Sequence, residues 1–249
     1  MKGFIVPLFA GVLAAATLAA GGVGSAPVAQ VGTGTIKGHV RLSAKQLPGN
    51  SVIRMGKDPK CGQMNQGKQV VNEVVKAAAD GSLGNVFVRL EGKFPKTPIP
   101  TTPVTINQTS CLYSPRVVGM QLGQTLEIKN NDNLLHNVHS VSEHDNNFNL
   151  AQQRAGVVDH FKPKSEEVMM RLGCEVHSWM YAYVGVVTNP YFATSDASGN
   201  FTIEKVPPGT YTIDAWQERY GPVKKTVTVT AGGTATVDFT YTGNEKPAA

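Results

Sequence analysis

Apolar and polar residues alternate in short runs along most of this chain, and clusters of glycine, proline and asparagine separate the runs. A period of two over a few residues marks a half-buried β-strand. Strands are predicted at 35–42, 86–90, 116–122, 125–130, 134–141, 167–172 and 183–187, and toward the C-terminus at 201–204, 209–216, 225–229 and 234–241. Turn chemistry falls between them at Gly123, 130–133, 173–180, 196–199, 207–209 and 231–233. Three stretches keep no steady period. Residues 43–82 are polar, and 70–79 within them fit either a short helix or a loop over the sheet. Residues 91–102 hold Pro95, Pro98 and Pro100 and predict a loop, while 142–163 are polar and irregular. Short strands with this many turns predict an all-β protein built as sandwiches of two sheets.

Composition agrees with that class. Of 249 residues only 16% are charged, against 26 glycines and 15 prolines, and the length fits one or two domains. The formal net charge is +5, but Lys and Arg are scattered without a basic run, which argues against a nucleic-acid partner. A mildly basic surface suits an acidic partner protein. Lys2, the apolar stretch 4–20 and the small residues up to Ala26 have the order of a secretory signal peptide, cleaved after Ala26 or else after Ala20. A short lead, 27–34, follows. No later stretch is apolar enough to span a membrane. The mature chain is expected to be soluble and periplasmic or extracellular.

In an oxidising compartment an odd number of cysteines leaves one thiol over. Cys61 and Cys111 lie in plain loop contexts, whereas Cys174 precedes a histidine by three residues. A Cys61–Cys111 disulfide with Cys174 free is the expectation; three reduced, buried cysteines are the alternative.

The C-terminal run TSDASGNFTIEKVPPGTYTIDAWQERYG (194–221) and the closing TATVDFTY (234–241) resemble the carboxypeptidase regulatory-like, transthyretin-related β-sandwich. The opening strands of that fold match GHV (38–40) and GNVFVRLEG (84–92), about a hundred residues too early. An inserted domain explains the gap, since insertion at a loop tip is tolerated when the inserted domain's ends lie close together. The expected organisation is a signal peptide at 1–26, the first part of the sandwich at 27–101, the insert at 102–190, the second part at 191–242 and a flexible tail at 243–249.

The insert carries the chemistry. Near its start LEIKNNDNLLHNVHS places His136 just after a turn, and near its end CEVHSWM holds Cys174, His177 and Met180. A thiolate, two imidazoles and a thioether are the donor set of a blue-copper site, the sulfurs suiting Cu(I) and the imidazoles Cu(II). The two motifs resemble those of the cupredoxins, and C-x-x-H-x-x-M has the short spacing of amicyanin, with Val176 and Ser178 where amicyanin-like loops carry proline. The resemblance covers roughly 111–187. It implies a Greek-key sandwich, a copper ion, His136 and His177 as imidazole ligands, Cys174 as thiolate, Met180 as axial ligand, and Asn137 tying the two ligand loops together. It also implies His177 as the electron port, with Trp179, Tyr181 and Tyr183 as an apolar rim around its exposed edge.

Plainer readings stand beside these. Cys174 could be a buried thiol, His136 a turn histidine, and Met180, Trp179 and the tyrosines core residues. Strand alternation sets His139 opposite His136, so it becomes a ligand only through a bulge. His144 and His160 read as solvated loop residues and His39 as a strand residue. Asp196 and Gly199 are turn residues, too few acids for calcium. There is no haem-attachment motif, nucleophile elbow or phosphate-binding loop. The expected function is that of an exported electron carrier, not a catalyst, serving a redox partner protein. The alternative is a copper-binding or cell-surface carbohydrate or protein interaction module without redox turnover.

Overall fold

The computed structural model describes residues 32–245 together with Met1 and Gly3; the rest of the expected signal peptide, the lead up to Val31 and the last four residues of the tail lie outside the described residues. Among these, nineteen strands carry nearly all the regular structure, and helix is confined to Met55–Lys57 and Pro59–Met64. The protein is all-β, as its alternation predicts.

One sandwich is built from both ends of the chain. In its first sheet the central strand Gly34–Leu42 pairs antiparallel with Asn200–Val206 and parallel with Thr234–Thr236 and Phe239–Tyr241. The facing sheet has the order Phe192–Thr194, Phe87–Glu91, Gly209–Gln217, Gly221–Val229. Ile36, Val40, Leu90, Ile213, Phe239 and Tyr241 fill the space between. The alternation at 234–241 predicts one strand, but it breaks around Val237, whose N–H donates to Lys37 O at 2.9 Å. A Cβ at Gly38 would lie 1.9 Å from Val237 O, so the crossing of the two backbones requires glycine there.

Residues 104–187 form a second sandwich. Its first sheet runs Asn149–Gln152, His136–Val141, Glu167–Gly173, Tyr181–Val187, Val117–Gln121, and its second runs Val158–Phe161, Leu126–Asn130, Val104–Thr109, Leu112–Ser114. Ile106, Leu126, Ile128, Val138, Leu172 and Val184 form its core. Asn149–Gln152 and Val158–Phe161 correct the expectation of an irregular 142–163. Both are sheet-edge strands with few buried positions, so a polar composition suits them.

Within the segment 43–82 the loop reading of 70–79 holds, with the short strand Lys76–Ala77 inside it. Residues 70–79 hold no helix; the helix is Pro59–Met64, started by Asp58, whose side chain accepts from the N–H groups of Lys60 and Cys61. The segment leaves the first sandwich and packs Ile53, Met55, Cys61 and Val70 onto the second core. The expected disulfide fixes it there, joining Cys61 to Cys111 with a Cα–Cα distance of 5.7 Å; Cys174 is the free cysteine.

A third apolar cluster joins the sandwiches. Gly119 and Gly185 are direct partners on adjacent strands. A Cβ at either would lie within 2.5 Å of the Phe87 ring, so the pair forms a slot that receives this ring from the other sandwich. Arg116 grips Glu218 through Nε and a terminal nitrogen at 2.7 and 2.8 Å. Tyr183 packs on Trp216 with ring centres 5.0 Å apart.

Candidate metal centre

The site is built by one strand end and one turn. Asn130 shapes the approach: its Oδ1 accepts from Asp132 N–H (2.9 Å) and its Nδ2 donates to Leu134 O (2.9 Å). This closes the loop so that the strand His136–Val141 begins with the His136 side chain fully buried. The turn folds on itself. Cys174 N–H donates to Met180 O (3.1 Å), Met180 N–H to His177 O (2.9 Å) and His177 N–H to Cys174 Sγ (3.4 Å). The sulfur and the imidazole three residues on therefore face the same interior point.

Donor atoms of His136, Cys174 and His177 all lie within 4.8 Å of one another, and all three residues are buried. The two Nδ1 atoms are 3.0 Å apart, and Cys174 Sγ is 3.9 Å from His177 Nδ1. Each distal nitrogen meets a carboxylate: His136 Nε2 lies 3.0 Å from Asp132 Oδ2 and His177 Nε2 lies 3.3 Å from Asp58 Oδ2. Both carboxyls are held below the usual carboxylate range. For Asp58 the chief cause is the Cys61 N–H; for Asp132 burial pushes the other way but is outweighed by His136 and the amides of Cys111 and Ser110. An ionised carboxylate only accepts, so each favours the tautomer with hydrogen on Nε2. Neutral rings would then point two bare lone pairs at each other across 3.0 Å. That arrangement calls for a cation between them, a proton or a metal ion.

The charges at the site follow. Burial alone would raise the Cys174 thiol, but His136 and nearby backbone amides outweigh it and lower the pKa to about 6. Burial alone would lower His136, but Asp132 and Cys174 outweigh it and push the imidazole up to about 9. Asn137 links strand and turn: its Oδ1 accepts from Glu175 N–H at 2.8 Å and lies 3.4 Å from Cys174 Sγ. Tyr113 O–H donates to Asn137 O.

Met180 is buried in the apolar cluster that also holds Cys174. His139 stays off the site. It faces the other side of the strand, half-buried, with Nδ1 3.8 Å from Glu175 Oε1. His160 pairs loosely with Glu127 at 3.4 Å and His39 with Ser82 Oγ at 3.0 Å.

The electron-port expectation is corrected. His177 has no exposed edge; it is 1% exposed, because the disulfide-tied helix lays Asp58 over its Nε2. Of the expected rim, only Trp179 packs on His177, with ring centres 5.1 Å apart, while its Nε1–H donates to Cys111 O. Tyr181 sits under Arg116 and Tyr183 on Trp216. Sequence reasoning passed over Asp58 and Asp132. Asp132 was legible as a carboxylate four residues before His136, but Asp58 lies 119 residues from His177 and gave no signal.

Residues 181–242 match the sequence profile of the carboxypeptidase regulatory-like domain, which takes in the strand Tyr181–Val187 of the second sandwich as well as the C-terminal strands of the first. No curated protein matches the chain. Among solved structures, a purple cupredoxin from Nitrosopumilus maritimus aligns over 33% of this chain and 97% of its own, at 22% identity and a TM-score of 0.29. A variant of amicyanin in the Cu(I) form aligns over 40% of this chain and 97% of its own, at 14% identity and a TM-score of 0.31. A copper-containing nitrite reductase from Thermus scotoductus SA-01 aligns over 38% of this chain, at 16% identity and a TM-score of 0.33, and only 24% of that enzyme is covered. The regulatory-like resemblance read from the sequence recurs in the profile match.

Proposed function

We propose that this protein is an exported type 1 copper protein that passes single electrons between redox partners. One observation carries the reading: two imidazole Nδ1 atoms and a lowered-pKa thiol converge in a buried pocket, with both distal nitrogens already committed to carboxylates. That donor set suits copper in both oxidation states. His136, Cys174 and His177 would hold the ion, with Met180 supplying a weak thioether. When bound there, copper supplies a one-electron couple. The chain's own residues exclude water, hold the sulfur as thiolate, and keep both rings in a fixed orientation, which keeps rearrangement between redox states small. The leader-like N-terminus and the disulfide support export. No helix among the described residues is long and apolar enough to cross a membrane.

Metal analysis with a visible spectrum tests the reading. The oxidised, copper-loaded protein should bind about one copper ion per chain and show intense thiolate-to-copper charge transfer. Cys174→Ser should remove the colour and keep the β-sheet circular dichroism. A colourless Cu(II) adduct of the wild type would overturn the electron-transfer reading. The covered His177 favours a second reading, copper holding without redox turnover. Slow or irreversible voltammetry of a coloured protein would select it.

A further inference from the structure

The donor set accounts for Nδ1 of each ring but not for what stands behind it. Behind each ring is a carboxylate whose second oxygen, or second lone pair, is already fixed by backbone amides. Asp58 Oδ1 accepts from Lys60 N–H (2.9 Å) and Cys61 N–H (3.2 Å), which leaves Oδ2 aimed at His177 Nε2. Asp132 Oδ1 accepts from Ser110 N–H (2.7 Å), and Oδ2 accepts from Cys111 N–H (2.8 Å) and from His136 Nε2. Ser110 and Cys111 both adopt left-handed backbone, with φ of 54° and 59°, and this turns their consecutive N–H groups toward one anion.

The dipeptide Ser110-Cys111 thereby supports both histidines. Its amides hold the carboxylate behind His136. Its disulfide holds the short helix whose capping residue, Asp58, stands behind His177. Its carbonyl accepts from Trp179, which packs on the His177 ring. The disulfide sulfurs themselves lie within 4.8 Å of a His177 ring nitrogen.

We propose that Asp58 and Asp132 are positioning residues that lock His177 and His136 with hydrogen on Nε2 and so present both Nδ1 lone pairs to a metal ion. The proposal rests on the copper reading only for the identity of that ion; the tautomer of His177 is a property of the metal-free chain. A neutral imidazole in water exchanges its hydrogen between the two nitrogens, and an ionised carboxylate at one of them selects the form in which the other is bare. The partner that fixes the tautomer also makes the ring a better donor to an oxidised, more positive ion.

The test uses the mature protein with its disulfide intact. Imidazole nitrogen NMR of the metal-free wild type should show His177 with hydrogen on Nε2. Asp58→Ser keeps an oxygen able to cap the helix but withdraws the carboxylate, and His177 should then populate both tautomers. With copper, Asp58→Ser and Asp132→Asn should each weaken Cu(II) binding by about 10- to 100-fold and raise the reduction potential, while Asp58→Asn, which retains an acceptor, should recover part of the loss. Hydrogen on Nδ1 of His177 in the wild type would overturn the proposal, and so would an unchanged tautomer and Cu(II) affinity in Asp58→Ser. Failure of every form to bind copper, with the His177 tautomer still following Asp58, would sink the copper reading and leave the positioning role standing.

Discussion

His136 and His177 face each other through Nδ1 atoms 3.0 Å apart, although 41 residues separate them in the chain. With the hydrogen of each ring on Nε2, toward a carboxylate, this contact between two bare nitrogens is favourable only with a cation shared between them. His136 is pushed up to about 9 and Cys174 is lowered to about 6, shifts that favour an imidazolium beside a thiolate.

The pH dependence of the metal-free protein follows from this pair. Cys174 is lowered from 9.0 to about 6, so its contribution to stability is complete above 9.0 and is lost as pH falls through about 6. His136 is raised from 6.5 to about 9, so its contribution is complete below 6.5 and is lost as pH rises through about 9. The two slopes have opposite sign over nearly the same window and cancel. Urea unfolding should therefore give a nearly flat stability between about pH 6 and pH 9. In Cys174→Ala the falling limb stands alone, because Asp132 still holds His136 up. Stability of that variant should drop as pH rises through the same window. A wild-type profile that climbs or falls steeply there would show that the two groups do not balance.

The Cys61–Cys111 disulfide closes a loop of 50 residues, worth about 4 kcal/mol on the chain-entropy account. Denaturant unfolding with and without a reductant should differ by roughly this amount. Reduction should also expose His177 before the sheets melt, because the helix carrying Asp58 has only six residues and depends on its anchor. Histidine modification by diethyl pyrocarbonate, followed by peptide mapping, should become fast at His177 under reducing conditions that leave the circular dichroism intact. Equal protection of His177 in both states would show that the helix stays in place without the bond.

Gly119, Gly185 and Phe87 should behave as one unit. Phe87→Ala empties the slot and should cost about 3–5 kcal/mol. Gly185→Ala puts a Cβ 2.5 Å from Cζ of Phe87 and should cost about 1–3 kcal/mol by overpacking. In the double variant Phe87→Ala with Gly185→Ala the emptied slot makes room for the new methyl group. A double-mutant cycle on thermal or urea unfolding should then give a total well below the sum of the single losses. Strict additivity would mean that ring and glycine are not in contact.

What the sequence made legible divides along physical lines. A strand with one buried face, such as Leu126–Asn130, shows clean alternation because burial selects every second residue. The edge strands Asn149–Gln152 and Val158–Phe161 bury little and leave no such trace. The turn holding Cys174 and His177 was visible from spacing, since three residues suffice to bring sulfur and ring together. The lid over His177 was invisible. Its helix is shorter than two turns, so no period develops, and Asp58 meets His177 only because a disulfide formed by distant residues places it there. Asp132 was in view but read as turn chemistry, which it also performs.

Arg116 and Glu218 offer the sharpest test of how the two sandwiches hold together. The pair is bidentate, both side chains are largely buried at 12% and 8% exposure, and the guanidinium also lies 4.0 Å from the centre of the Tyr181 ring. Removing one partner leaves the other charge buried without compensation, a loss of about 3–5 kcal/mol, whereas removing both restores an uncharged contact. Glu218→Gln should therefore be clearly destabilised, and Arg116→Met with Glu218→Gln should recover much of the loss. Because the pair ties the start of the strand Val117–Gln121 to the residue after Gly209–Gln217, the single variant should also loosen the coupling between sandwiches. Calorimetry should show its single transition broaden or split into two, and the double variant should sharpen it again. A single variant that melts as steeply as the wild type would locate the coupling in the Phe87 slot alone.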